Sequence, residues 1–223
     1  SRQYRRMNEP PAPDRNLSLE MVRVTEAAAL AAARHMGSGD PKIADRAAIE
    51  AAHRVLGSIA IDGTIKIGES GDGEAKHLCV GDRIGRRVGP EVDVAVVALE
   101  GASIVARGGP NALSVVAMAE SGSFLKVPEI YMDKIAVGPG LPAGVIDISK
   151  DPLENLKAVA EAKRMPISDM VICVLDRPRH NALLDQIRAA GARVRLILGG
   201  DVSAVVATAL PEALYRFIVE PDP

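Results

Sequence analysis

The sequence predicts an α/β protein built from two halves. Two observations indicate this class: two helical segments precede a run of short β-branched segments, and helices then alternate with strands at short spacing. The first order is typical of an α+β half with an antiparallel or mixed sheet, and the second of an α/β half with a parallel sheet. We divide the chain into a flexible Arg- and Pro-rich tail at 1–16, an α+β half at 17–145 and an α/β half at 146–223.

The first half begins with two predicted helices. Asn16 or Ser18 can cap a helix that two glycines end near Met36. A second helix is predicted over Pro41–Leu56, with Asp40 as its cap and proline in its first turn. Short β-branched stretches bounded by Gly, Asp or Pro then predict strands. They are Ile59–Ile61, Thr64–Ile67, His77–Val80, Asp93–Val97, Ser103–Ala106 and Ala112–Ala119.

The second half follows a junction rich in glycine and proline, at 138–150. Beyond it the pattern alternates between helix and strand, which is typical of a parallel sheet with helices on its faces. The predicted helices are Pro152–Lys163, His180–Ala190 and Val202–Ala209. The predicted strands are Val171–Leu175, Arg193–Leu198 and Leu214–Val219.

Composition limits the classes of function. The 223 residues include no Trp, two Phe and three Tyr, too few for a protein that binds single strands by base stacking. A formal net charge of −2 offers no basic excess for a phosphate backbone, so no nucleic-acid partner is expected. Cys79 and Cys173 lie far apart without metal-ligand spacing, which indicates a reducing compartment. No apolar run approaches the roughly 18 residues that span a bilayer, so no transmembrane segment is predicted.

Four arginines and three prolines characterise residues 1–16. Because the chain begins at Ser1, this segment is either an expression remnant or frayed tail, or the trimmed end of an Arg-rich organelle presequence. The first interpretation agrees with a cytoplasmic protein. The second agrees with a protein of an organelle matrix, such as that of mitochondria.

Three acidic residues lie at the ends of predicted elements or on a predicted helix. Asp45 lies in the second helix, Glu69 follows a strand in IKIGES, and Glu100 follows a strand in VVALEGAS. Carboxylates beside glycine suit Mg²⁺ or Mn²⁺, because hard cations prefer oxygen ligands on a rigid frame. Acids near glycine are also common as turn formers and solvated caps. Spacing alone favours the second interpretation and does not exclude the first.

The order of the segments points to a family. IDGTIKIGE, GPEVDVAV, PNALSVVA, PEIYMDKIAVGP and LDRPRH, together with the helix RVTEAAALAAAR, closely resemble class II fructose-1,6-bisphosphatases of bacteria. The resemblance extends from about Leu17 to Pro211. It implies the sugar-phosphatase fold shared with inositol phosphatases, a layered sandwich of helices and sheets, and metal-dependent hydrolysis of the 1-phosphate of fructose 1,6-bisphosphate.

The resemblance also implies a metal site that is incomplete here. The family binds metal through a helix aspartate, the glutamate of IGEG, the acids of DPxEGT and a glutamate in a later GGAPEG loop. Val97-Ala98 replaces the Asp-Pro pair, Ala102 replaces the threonine expected to orient the attacking water, and the GGAPEG loop has no counterpart. The last loss predicts a fold that is incomplete at its C-terminus. The residual candidates for Mg²⁺ or Mn²⁺ are Asp45, Glu69 and Glu100.

The substrate side is better kept. Two arginines at the end of a strand can present guanidinium groups to phosphate oxygens, although a solvated helix start explains them equally well from spacing alone. By resemblance, seven residues are implied to contact the sugar phosphate. They are Gly101, Tyr131, Lys134, Arg177, Pro178, Arg179 and Asp201.

These losses favour a pseudoenzyme. We expect a bisphosphatase-like fold kept as a structural or accessory subunit, with no intact catalytic group and Mg²⁺ or Mn²⁺ bound weakly or not at all. An unfinished sheet edge would need a partner, either a second copy or another subunit of a larger complex. An active Mg²⁺- or Mn²⁺-dependent phosphatase and a non-catalytic sugar-phosphate sensor are the alternatives.

Overall fold

The computed structural model describes residues 16–69, 76–126 and 132–210, and the backbone of 217–220. Within these ranges the chain forms two compact units. The first contains residues 16–106 and 114–126, and the second contains 107–113 and the described residues from 132 onward. The mixed α/β class is confirmed. The domain bounds at 17–145 and 146–223 stay a prediction, because compactness alone does not show where an independently folding domain ends.

Two helices open the first unit, as predicted. Helix α1 is Leu17–Ala33 and helix α2 is Pro41–Leu56. The Asn16 side chain accepts a hydrogen bond from an amide in the first turn of α1, and Asp40 does the same for two amides of α2. Small buried residues on both helices allow close packing against each other and against the sheet. They include Ala28, Ala32, Ala44, Ala48 and Ala52.

A mixed four-stranded sheet completes the first unit. Strands β1 to β4 are Asp62–Ile67, Arg83–Ile84, Glu91–Glu100 and Leu113–Glu120, in the order β2-β1-β3-β4. Strand β1 is antiparallel to β2 and parallel to β3. The parallel pair matters for the site because it puts the carboxyl ends of β1 and β3 at the same edge.

Three strand predictions in this unit are wrong. Residues 103–106 belong to a short helix, α3 at Ala102–Ala106, because Gly101 turns the chain at φ +90° and its carbonyl accepts two amides of that helix. Ile59 and Ile61 are buried in an irregular segment. Residues 77–80 form only a single bridge, between Cys79 and Glu69. In the first two cases β-branched residues are buried without a strand partner, whereas in the third Leu78 is buried and Val80 is exposed.

The second unit contains a second four-stranded sheet. Strands β5 to β8 are Lys134–Val137, Val171–Leu175, Arg193–Ile197 and Phe217–Glu220, in the order β5-β8-β6-β7. Strands β6, β7 and β8 are mutually parallel where they pair, as predicted. Strand β5 is antiparallel to β8 and was not predicted. The layered sugar-phosphatase sandwich and its C-terminal incompleteness stay predictions.

Helices cover both faces of this second sheet. Helices α4 and α5, Pro152–Ala162 and Asn181–Ala189, pack on the face that carries Ile172 and Val174. Helix α6, Asp201–Thr208, packs its Ala204 on the opposite face, against Cys173. Alternate residues of β6 therefore face two separate cores. In the described ranges no helix combines the length and the apolar character needed to cross a membrane.

Candidate functional site

The candidate acids of the first unit lie near the carboxyl edge of its sheet. Glu100 is the last residue of β3, and Glu69 follows the end of β1 by two residues. Asp45 lies on α2, half-buried, and its charge acts on the Glu69 carboxyl group. The parallel β1–β3 pair is the reason that two acids separated by 31 positions in the chain reach the same edge.

Both the side chain and the backbone amide of Glu69 are hydrogen-bonded. Its Oε1 accepts a hydrogen bond from the Ala98 amide at 3.0 Å, and its own amide donates to the Leu78 carbonyl at 2.9 Å. A side chain at Gly68 would come within 2.1 Å of the same carbonyl, so only glycine fits between these segments. Burial raises the pKa of Glu69, the Ala98 amide opposes this shift, and the negative charge of Asp45 adds to it.

The described acids do not assemble into a metal cage. Among residues 16–69, 76–126 and 132–210, no group of three or more His, Cys, Asp or Glu side chains could hold a metal ion. Asp45 and Glu69 are close enough to influence each other, but Glu100 does not join them as a third ligand. Asp45 and Glu69 are carboxylates of the kind that hold Mg²⁺ in ones and twos, with water and substrate oxygens completing the coordination shell. All three residues stay predictions as ligands.

Val97 and Ala102, which by resemblance stand at replaced family positions, flank Glu100 in the chain. Val97 is half-buried within β3, and Ala102 is the first residue of α3. Between them, Gly101 adopts φ +90°, and a side chain there would meet Ile104 Cδ1 at 2.9 Å. The positive φ, more than the contact with the mobile end of the Ile104 side chain, makes glycine the favoured residue in the turn from β3 into α3, whatever its part in substrate binding.

Most substrate candidates of the second unit share the carboxyl edge of the second sheet. Arg177 follows β6, and Asp201 begins α6 after β7. Lys134 begins β5, and its pairing with Glu220 places it at the carboxyl end of β8, which runs parallel to β6. Lys134 Nζ lies 3.9 Å from Asp201 Oδ2. Open α/β sheets bind ligands at this edge.

The two arginines differ in what they contact. Arg177 donates through Nη1 to the Asp176 carbonyl at 2.9 Å and through Nη2 to the Leu198 carbonyl at 2.8 Å, so it ties the ends of β6 and β7 together. Arg179 and Pro178 are exposed in the short 3₁₀ turn that follows. Arg179 is thus the arginine better placed for a soluble anion. Tyr131 lies outside the described residues.

Sequence reasoning missed two features of the histidines. His180 is fully buried, with Nδ1 2.8 Å from the Leu175 carbonyl, and it is the last residue of the turn that carries Arg179. His53 and His77 stack face to face although 24 positions separate them in the chain. A separation of this size leaves no periodic signal, so only the tertiary structure could show the pair.

Comparison with known proteins identifies the family. A model of the family described as bacterial fructose-1,6-bisphosphatase, glpX-encoded, matches residues 15–219. The chain belongs to this family of class II fructose-1,6-bisphosphatases. It is 42% identical over 199 residues to fructose-1,6-bisphosphatase 1 class 2 of Escherichia coli strain K12. The class 2 fructose-1,6-bisphosphatases of Escherichia coli O6:H1 and Shigella flexneri match equally well.

The alignment covers unequal shares of this chain and of its relatives. The alignment spans 89% of this chain but only 59% of each relative. The chain therefore spans less than two thirds of the length of the class 2 bisphosphatases it matches.

We predict that Glu69→Gln stabilises the protein at pH 7. The folded pKa of Glu69 lies above its ordinary 4.5, so the carboxylate costs stability once the pH rises through that pKa. Glutamine keeps the acceptor for Ala98 without the charge. The free energy of unfolding should therefore exceed that of the wild type at pH 7, and the gain should vanish below about pH 4.5.

Urea denaturation followed by circular dichroism at pH 7 and pH 4 measures this difference. Glu120→Gln removes a charge from the exposed end of β4 and should leave stability unchanged. A Glu69→Gln protein less stable than wild type at pH 7 would contradict the inference that the charge on Glu69 lowers the stability of the folded protein.

We predict that Arg177→Lys weakens the second unit although it keeps the charge. Lysine has a single nitrogen in place of the two guanidinium nitrogens that bind the Asp176 and Leu198 carbonyls, so we expect the variant to lose about 1–2 kcal/mol of stability. Arg179→Lys, two residues away and exposed, should change it by less than about 0.5 kcal/mol. Equal effects in urea denaturation would show that Arg177 does not tie β6 to β7.

Proposed function

We propose that this member of the class II fructose-1,6-bisphosphatase family is a structural or accessory subunit with little or no hydrolytic activity. The observation that carries the proposal is the hydrogen bond from the Ala98 amide to Glu69. Through this bond Glu69, a candidate metal ligand, holds the end of β3. The donor is residue 98, where the family pattern has the proline of its Asp-Pro pair.

Proline has no amide hydrogen, so the family pattern cannot make this bond. Alanine at position 98 supplies the donor, and it is fully buried in the core of the first unit. The bond also lets β3 run without interruption from Glu91 to Glu100. The replacement therefore favours the strand and engages one oxygen of Glu69 with the backbone.

Val97 removes the charge that the family pattern supplies next to that oxygen. Hydrolysis of a phosphate monoester with a bound cation needs the cation to activate water and to neutralise charge on the transferring phosphoryl group. A half-buried isopropyl group replaces a carboxylate at this point. Ala102, without a hydroxyl, leaves no group there to orient the attacking water. Losses within one constellation are not additive, and the set is expected to reduce hydrolysis by several orders of magnitude.

The second unit supports retained binding of a sugar phosphate without turnover. Arg179 is exposed and Lys134 is half-exposed at the carboxyl edge of the second sheet, where both can reach a phosphate. A sugar-phosphate sensor is therefore the second candidate function. We also assign the chain to a reducing compartment, since Cys79 and Cys173 lie far apart in the sequence and lack metal-ligand spacing.

An assay of phosphate release tests the catalytic part. Purified protein with Mn²⁺ and fructose 1,6-bisphosphate should release no phosphate above a protein-free blank, while the class 2 enzyme of Escherichia coli K12 serves as the positive control. The variant Val97→Asp/Ala98→Pro should gain a Mn²⁺-dependent rise in Tm that the wild type lacks.

Turnover by the wild type at ordinary enzyme rates would overturn the proposal, and so would an equal Mn²⁺-dependent rise in the wild type. Calorimetric binding of fructose 1,6-bisphosphate without turnover, lost in Arg179→Gln, would favour the sensor. The same variant in the absence of sugar phosphate should unfold as the wild type does, which separates binding from folding.

Sedimentation velocity tests the subunit role. A structural subunit with an apolar face to cover should sediment as a species heavier than its 23.4 kDa monomer at micromolar concentration. Exposed apolar side chains on α1, such as Leu19 and Leu30, provide part of this surface. A single monomeric species across the accessible concentration range would contradict the subunit role.

A further inference from the structure

Two imidazole rings connect α2 to the segment that follows β1. His53 lies in the last turns of α2, and His77 lies in segment 76–82. Their ring centroids are 4.0 Å apart and their planes differ by 9°, so the rings stack face to face. We call this pair the imidazole stack. It lines an open groove of about 520 Å³ together with Glu50, Arg54, Gly57 and Ser58.

Segment 76–82 is joined to the strand end that carries Glu69. The Glu69 amide donates to the Leu78 carbonyl, the Ile65 amide to the Asp82 carbonyl and the Gly81 amide to the Ile65 carbonyl, each at 2.9 Å. The imidazole stack adds a side-chain contact from this segment to α2. A change in the stack therefore acts on a segment that is bonded to Glu69 through the backbone.

The charge on the two rings decides whether the stack is favourable. Neutral imidazoles can stack as aromatic rings do, whereas two imidazolium ions 4.0 Å apart repel each other. Burial lowers the pKa of His53, the positive charge of His77 lowers it further, and Asp82 opposes both effects. Near pH 7 the stack is therefore held with His53 neutral.

The other charges around the stack come from both elements. On α2, Arg54 and Glu50 line the same groove as the two rings. On the segment, Asp82 favours protonation of His53, and Lys76 is the cation next to His77 in the chain. The Asp82 carboxylate also accepts the Cys79 amide at 2.9 Å, so it is held in place within its own turn. The lowered pKa of His53 shows that burial and His77 outweigh Asp82.

We propose that the imidazole stack is a pH-sensitive contact that closes segment 76–82 onto α2 and opens when both rings become charged. Opening loosens the bonds at Ile65 and Leu78, and with them the backbone support of Glu69. The device needs no bound ligand and is independent of whether the chain hydrolyses a phosphate ester.

The direction of the pH effect follows from the pKa of His53. Because its folded value lies below the ordinary 6.5, the open or unfolded state binds more protons in the interval between the two values. The stabilisation is complete above about pH 6.5 and is lost as the pH falls toward the folded pKa. For each proton taken up on opening, the opening constant rises about tenfold per pH unit in that interval.

Native-state hydrogen exchange on the whole chain tests the proposal. After correction for the intrinsic pH dependence of amide exchange, protection at Glu69 and Gly81 should fall between pH 7.5 and 5.5 in the wild type. His53→Gln and His77→Gln should each abolish that fall. His35→Gln, in the turn after α1, is the matched control and should leave it unchanged.

An NMR titration of the histidine rings gives a second readout that does not depend on opening. Replacing His77 by Gln should raise the titration midpoint of His53, because the neighbouring positive charge is gone. An unchanged midpoint would overturn the proposal. The proposal would also be overturned if protection does not fall in the wild type, or if it falls as much in His53→Gln and His77→Gln as in the wild type.

Discussion

Parallel pairing of β1 with β3 is the constraint on which the first unit depends. Two parallel strands end at the same edge, so Glu69 and the last residues of β3 meet although the chain separates them widely. The same edge receives segment 76–82, whose Leu78 carbonyl binds the Glu69 amide. The acids, the Ala98 hydrogen bond and the attachment of the imidazole stack all follow from this one register.

At that edge residues 97 and 98 are uncharged, and β3 continues through them without interruption. Val94, Val96 and Ala98 are buried, and β3 keeps its backbone geometry to Glu100. An Asp-Pro pair at 97–98 would bring a carboxylate toward a cation but would remove the amide that Glu69 binds. The half-buried Glu69 carboxyl group, with its raised pKa and its bond to a backbone amide, therefore contributes to the structure of this edge.

The predicted elements that succeeded carry strong local signals. Asp40 before Pro41 fixes the start of α2, and β6 has the bounds that its apolar run indicates. Ser103–Ala106 failed because the same β-branched residues are buried by a short helix once Gly101 turns the chain. Strand β5 was not predicted because it is short and depends on pairing with β8, which lies about 80 residues away in the chain.

The sequence by itself determined the family and the alternation of helices and strands, since each is a matter of residue identity and order. Only the tertiary structure decided what the surviving residues do. Arg177 donates hydrogen bonds to two carbonyls, and His53 stacks on His77, which is remote from it in the chain. Hydrogen bonds and ring stacking depend on distances of about 3–4 Å between atoms of remote segments, and a linear sequence does not contain those distances.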